Sequence, residues 1–456
     1  MKVCKFGGTS LADAGQMQKV CEIVEADPAR RIVVVSAPGK RTPNDIKVTD
    51  LLIACGETVL AGQDGKAARQ AVVERFASIE KDFGLGDDIS RAMDADLAAR
   101  QGADRSHRER YMDALKAAGE DYAARVFAAA LNKRGHKASY VNPRDAGMLL
   151  SDEYGQARLL PESYERLATL RDKAGILVFP GFFGYTRGGT LVTFSRGGSD
   201  ITGSILAAAV KADIYENFTD VDSVFAVDPR IVPGAASIQE MTYREMRELA
   251  YAGFSVLHDE AIVPAFRAGI PINIRNTNRP EAPGTMIVPE HRAAGARRVV
   301  GIASDAGFCS INVSKYLMNR EIGFGRRVLQ VLEDEKLSYE HSPSGIDTMS
   351  VILKETGLTP EVEARVIARL KKDLQVDDVS VERGLALVMI VGEGMRFNVG
   401  MAARVTRALA EATVNIEMMN QGASEISMMF GVKATERKQA VHSLYHALFE
   451  GRGAAG

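Results

Sequence analysis

Three short polar stretches hold the residues best suited to binding and moving an anion. The first is Thr193-Phe194-Ser195-Arg196-Gly197-Gly198-Ser199-Asp200. Upstream lies an apolar segment, residues 175–182, ended by Pro180 and Gly181; downstream lies a small apolar run, residues 201–210. That order predicts strand, hairpin, Gly-Gly turn and helix start. Glycines let the backbone approach a ligand, and the free N–H groups of a helix's first turn favour an anion. Arg196 adds a planar cation suited to a carboxylate or phosphate. Ser199 and Asp200 fall where a cap is expected. Taken alone, a Gly turn with an ordinary N-cap is the simpler account.

The second stretch, Lys5-Phe6-Gly7-Gly8-Thr9-Ser10, follows a strand-like start to the chain. It makes a phosphate-sized cradle with Lys5 beside it as a compact cation, or a plain structural turn. The order is not that of a Walker loop, because the lysine precedes the glycines. The third stretch runs from Thr219-Asp220 to Phe225 and Asp228-Pro229-Arg230. Thr219 and Asp220 suit a nucleotide base or ribose and Arg230 its phosphates; a solvated turn is the rival. Between these, Ser36-Ala37-Pro38-Gly39-Lys40-Arg41-Thr42 is another polar loop at a carboxyl strand end, the edge where open α/β sheets bind ligands. Thr49 reads as a helix cap or a ligand hydroxyl. Glu120 follows Gly119 at a helix start, where it suits a substrate amino group or merely complements the helix dipole.

The elements that must position these groups alternate. Strand candidates at 3–6 and 31–35 flank a helical stretch at 17–25, the βαβ rhythm of an α/β domain. Residues 62–110 are charged, Ala-rich and helical in period, which predicts an all-helical insertion. At 456 residues the chain is long enough for two or three cores. With 25% charged residues and a formal net charge of -2, it lacks the basic excess of a nucleic-acid or membrane-surface binder. No apolar run reaches membrane-span length. No signal peptide is expected, and the four cysteines form no Cys-x-x-Cys pair. These features point to a reduced cytoplasm, with no protein-held metal site.

The last third repeats itself. Leu337-Ser338-Tyr339-Glu340, with Gly345 and Ser350, matches Val414-Asn415-Ile416-Glu417, with Gly422 and Ser427. Each copy follows a Gly and an amphipathic helix, predicting βαββα twice, with the segment sizes of a ferredoxin-like module. A charged, Ala/Gly-rich linker is expected at 289–298.

In combination, the three loops, Leu257-His258-x-x-Ala261-Ile262 and the doubled tail resemble the aspartokinase family over nearly the whole chain. The resemblance implies an α/β amino-acid kinase fold: an αβα sandwich on a mainly parallel sheet, residues 1–290, with the helical insertion at 62–110. Two ferredoxin-like ACT modules would follow, at 299–380 and 381–450. It also implies ATP-dependent phosphorylation of the L-aspartate β-carboxylate with Mg²⁺. Lys5 would bind and stabilise the transferred phosphoryl group, Asp200 would orient Lys5 and substrate, and Arg196 would clamp a substrate carboxylate. Glu120 would take the α-ammonium, with Ser36, Thr49 and Ser199 as hydroxyl contacts. Gly7, Gly8, Thr219, Asp220, Phe225 and Arg230 would join Lys5 around the nucleotide. Met318, Phe324, Gly325, Tyr339 and Glu340 would hold a feedback amino acid, L-lysine or L-threonine, and the ACT modules would pair chains into dimers or tetramers. Two positions depart from the family pattern: Asp121, where many members carry Arg, and Phe225, where Tyr is common. The alternatives are a related amino-acid or UMP kinase, and a catalytically dead amino-acid sensor.

Overall fold

The computed structural model describes residues 1–195, 197–254, 257, 259–291, 299–396, 398–422 and 426–450. Arg196 and His258 lie outside the described residues, as do 292–298 of the expected linker. The chain divides into two units. Met1–Val224, Ser237–Arg247 and Ser255–Ala294 form the first; Phe225–Ala236, Glu248–Phe254 and Gly295–Gly456 form the second.

The first unit is built on eight strands: β1 (Lys2–Phe6), β2 (Arg30–Val35), β3 (Ala138–Tyr140), β4 (Ile176–Pro180), β5 (Ile214–Thr219), β6 (Glu240–Thr242), β7 (Ile272–Asn276) and β8 (Thr285–Val288). Their order is β6-β8-β7-β5-β1-β2-β4-β3. Every neighbouring pair is parallel except β7 with β8. Runs such as Ile32-Val33-Val34-Val35 are buried throughout, as strands covered on both faces must be. On the face of Cys4, Phe6, Val33 and Val35 pack α1 (Ala14–Glu25), α2 (Val48–Leu60) and α6 (Ala118–Lys133). The expected insertion is helical: α3 (Lys66–Phe83), α4 (Asp88–Gln101) and α5 (Arg108–Lys116). Its Phe76, Leu97 and Leu115 join that same core. Side chains alternate across a strand, so Lys5 points to the opposite face, which α7 (Gly198–Ala209) covers.

The sheet also carries a buried charge cluster. The Glu216 carboxylate of β5 accepts hydrogen bonds from Arg30 Nε at 2.7 Å, Arg275 Nη1 at 3.0 Å and the Cys4 thiol at 3.4 Å. One acid thereby ties β5 to β1, β2 and β7.

In the second unit, β9 (Gly301–Ser314), β10 (Thr348–Lys354), β11 (Asp378–Val391), β12 (Met418–Asn420) and β13 (Ser427–Lys433) form an antiparallel sheet in the order β10-β9-β11-β13-β12. The 14-residue strands β9 and β11 pair from Gly301↔Val391 to Ser314↔Asp378. Their outer halves border different neighbours: β10 pairs with 308–314 and β13 with 385–391. The two repeat copies therefore share continuous strands, and position 380–381 falls inside β11. Residues 337–340 and their counterparts 414–417 both lie outside strands; the copies differ just after, where residues 341–343 form no strand but their counterparts 418–420 form β12. Only isolated bridges at His341 and Ser344 remain, beside Pro343, which has no N–H to donate.

Glu216→Ala would strand two guanidiniums in the interior. It should lower the free energy of unfolding by about 3–5 kcal/mol in urea melts, far more than a surface Glu→Ala change.

Candidate active site

Strand β1 lies between β2 and β5, so its carboxyl end sits where chain connections leave in opposite directions. Lys5, near that end, is 7% exposed. Its Nζ meets Asp200 Oδ1 at 2.6 Å, from the first turn of α7. Gly197 caps that helix at φ 81°, a left-handed conformation that glycine adopts without strain. Asn217, directly opposite Lys5 on β5, donates from Nδ2 to the same Asp200 oxygen at 2.8 Å. No local motif marks Asn217; its register against Lys5 exposes it.

Gly7 and Gly8 follow directly. The Gly7 N–H is spent on Phe218 C=O at 3.1 Å, so the first glycine is held by β5. A Cβ on Gly7 would lie 3.6 Å from Lys5 Nζ, in the space beside the ammonium.

Glu120 stands in the first turn of α6 and is 5% exposed. Its Oε2 is buried with no hydrogen-bond partner. Burial pushes this carboxyl up to about 8, against a weaker opposing pull from the Ala37 N–H. A buried acid with one oxygen idle is set for an incoming cation. The Ala37 contact places Glu120 at the end of β2, next to Ser36. Helix α2 begins at Val48 with Lys47 at its N-cap position, so Thr49 lies inside the first turn and does not cap it. Among the described residues, the Ser36, Thr49 and Ser199 hydroxyls make no hydrogen bond within the protein.

The other expected site residues are placed as follows. Thr219 ends β5, and its hydroxyl bonds the Asp220 carboxylate at 3.2 Å. Phe225 and Arg230 belong to the second unit. There Arg230 is exposed and paired with Asp228 at 2.8 Å. Asp121 is occupied by Arg125 at 3.1 Å and by the Tyr140 hydroxyl. In the second unit, Met318 and Phe324 are packed in the apolar cluster of β9 and β10, and Tyr339 is exposed. A Cβ on Gly325 would reach Met349 Sδ at 3.8 Å. Glu340 accepts a hydrogen bond from the Tyr251 hydroxyl.

A cation held by an acid at a glycine edge, on the switch point of a parallel sheet, is an arrangement suited to phosphoryl transfer in an α/β protein. The amino acid kinase family matches residues 1–276, and an ACT domain matches residues 388–448. Aspartokinase 3 of Bacillus subtilis is 56% identical over 99% of both chains. The crystal structure of Clostridium acetobutylicum aspartate kinase, an allosteric enzyme, superposes with a TM-score of 0.87 at 36% identity, covering 98% of this chain and 100% of that one. Escherichia coli aspartokinase III is 26% identical, with a TM-score of 0.80 over 98% and 100% of the two chains, in its complex with aspartate and ADP. Its complex with lysine and aspartate is 27% identical and gives 0.75 over 98% and 99%. The chain belongs to the amino acid kinase family, in its aspartokinase branch.

The raised Glu120 value carries a sign. An acid whose carboxyl titrates higher folded than unfolded favours the folded state below the unfolded value, 4.5, and loses that contribution as pH rises through about 8. Glu120→Gln should therefore gain stability relative to the parent as pH rises across this window. Urea melts at its two ends would show the difference; a constant difference would remove Glu120 as the cause.

Proposed function

We propose that this chain catalyses ATP-dependent phosphorylation of the L-aspartate β-carboxylate, giving 4-phospho-L-aspartate and ADP, under feedback control by an end-product amino acid. The observation that carries the reading is the Lys5–Asp200 pair at the Gly7–Gly8 edge. A β-carboxylate oxygen forms the new O–P bond as the bond to ADP breaks. The attacking carboxylate is already ionised near neutral pH, so no base is needed. Lys5 stabilises charge on the moving phosphoryl group, and Asp200, steadied by Asn217, holds that ammonium in place. Gly7 and Gly8 keep the edge narrow for phosphate. Arg196 takes a substrate carboxylate, Glu120 the α-ammonium, and Ser36, Thr49 and Ser199 the remaining polar groups. Thr219 and Asp220 serve the nucleotide. Mg²⁺ accompanies the triphosphate and shields its charge.

The feedback site lies around Met318, Phe324, Gly325, Tyr339 and Glu340, with L-lysine ahead of L-threonine as its occupant. The complex of E. coli aspartokinase III with lysine supports that choice. Glu340 would exchange the Tyr251 hydroxyl for the ligand's ammonium. The ACT modules pair chains into dimers or tetramers, and the enzyme works in the cytoplasm; no described helix is long and apolar enough to cross a membrane.

The test is ADP release with Mg-ATP and L-aspartate, with and without millimolar L-lysine. Aspartate-dependent turnover suppressed by lysine is expected; turnover only with another acid would overturn the substrate. Lys5→Ala should lower kcat about a hundredfold or more, with KM for aspartate little changed, since its contact strengthens in the transition state. Asn217→Ala should lower kcat roughly tenfold, the size of one hydrogen bond to a charged group. Glu340→Ala should abolish lysine inhibition with uninhibited turnover near normal; equal loss of both would make Glu340 a fold residue.

A further inference from the structure

The loop between β2 and α2 touches the glycine edge backbone to backbone. The Gly39 N–H donates to Gly8 C=O at 2.7 Å. A Cβ on Gly39 would lie 2.6 Å from the Gly8 carbonyl carbon, and one on Gly8 would lie 2.8 Å from Ala37 C=O. Only two glycines permit this approach, and it brings Lys40 to within one residue, about 3.8 Å of chain, of the contact.

The loop is held from behind by the helical insertion. Arg75 of α3 is 5% exposed. Its guanidinium donates to Gly39 C=O at 3.0 Å, Asp45 at 2.8 Å and Ile46 C=O at 3.2 Å. Arg41 is bound to the same Asp45 through Nε at 2.9 Å. Both guanidiniums therefore share one acid, whose own carboxyl they hold far below the usual range. Lys40 is different. It is exposed, no described carboxylate lies within salt-bridge distance, and its one hydrogen bond, to Pro43 C=O, is long at 3.4 Å. An exposed cation on a loop hydrogen-bonded to the Gly8 backbone is available to an anion that reaches this edge. Lys5 cannot neutralise a triphosphate unaided, because its charge is already shared with Asp200.

We propose that Lys40 is a second phosphate-binding cation, reaching the terminal phosphates of the bound nucleotide from the loop that Arg75 and Asp45 anchor. This rests on the reading of Gly7–Gly8 as the phosphate edge. The helical insertion thereby sets the position of a cation at the transferred group. Lys40 is on a mobile stem, so it can follow the phosphoryl group as charge moves.

The experiment is calorimetric titration of ATP and of adenosine into the full-length parent, Lys40→Gln and Lys40→Arg, together with steady-state kinetics. Expected is a roughly tenfold or greater loss of ATP affinity in Lys40→Gln, one charge-assisted hydrogen bond's worth. Adenosine affinity should stay unchanged, and Lys40→Arg should recover most of the loss. Equal ATP affinity in Lys40→Gln and parent would overturn the proposal. So would a rise confined to the KM for aspartate, which would put Lys40 on the acceptor. Should the parent release no ADP with aspartate yet lose ATP affinity through Lys40, the acceptor reading would fail while Lys40 kept its role.

Discussion

The contact between Lys5 and Asp200 is the constraint on which the first unit turns. Lysine is rarely buried unless paired, and Lys5 is nearly enclosed. Its partner lies almost two hundred residues along the chain, so the pair forms only if β1 runs centrally in the sheet and α7 crosses that face. Gly197 in a left-handed conformation starts α7 with Asp200 in its first turn, and Asn217 in register on β5 fixes the shared oxygen. Sheet order, helix start and strand register thus converge on one carboxylate.

Buried charge is used in two opposite ways. Glu216 is surrounded by donors from three neighbouring strands, and its removal would expose the cost of desolvating its partners. Glu120 is just as buried but incompletely satisfied, with one oxygen idle and a carboxyl pushed up by burial. A completed cluster holds a fold together, whereas an incomplete one stores an electrostatic demand that a ligand can meet. The two acids lie in the same unit, and only their partners distinguish them.

The second unit follows a different logic. Two long strands run through both repeat copies, so the copies cannot open like beads on a string. Gly307 and Gly384, at φ 85° and 73°, sit where the register between β9 and β11 shifts, near the middle of both strands. Met318 and Phe324 are buried in a core formed by β9, β10 and the start of β11, including Val379.

Local patterns in the chain are enough for the parallel α/β class, the helical insertion and the glycine edges, because apolar periodicity and Gly-Gly breaks act within a few residues. Lys5, Glu120 and Asp200 are legible for the same reason: each is a chemically conspicuous residue beside an element end. Thr49 has the residue type of a cap but does not serve as one, because the helix begins one residue earlier, a boundary set by the Val48 N–H bonding Pro38 C=O across the loop. Asn217, the Arg75 anchor and the grouping of residues 225–236 with the second unit have no local signal. Each depends on groups far apart in the chain becoming neighbours: Ile302 bonds Ala226 C=O, and the Tyr445 hydroxyl takes the Ala236 N–H. Sequence alone determined which residues have chemistry to offer and which elements present them. Tertiary structure decided which partners they meet, because register, burial and charge pairing are properties of the packed whole.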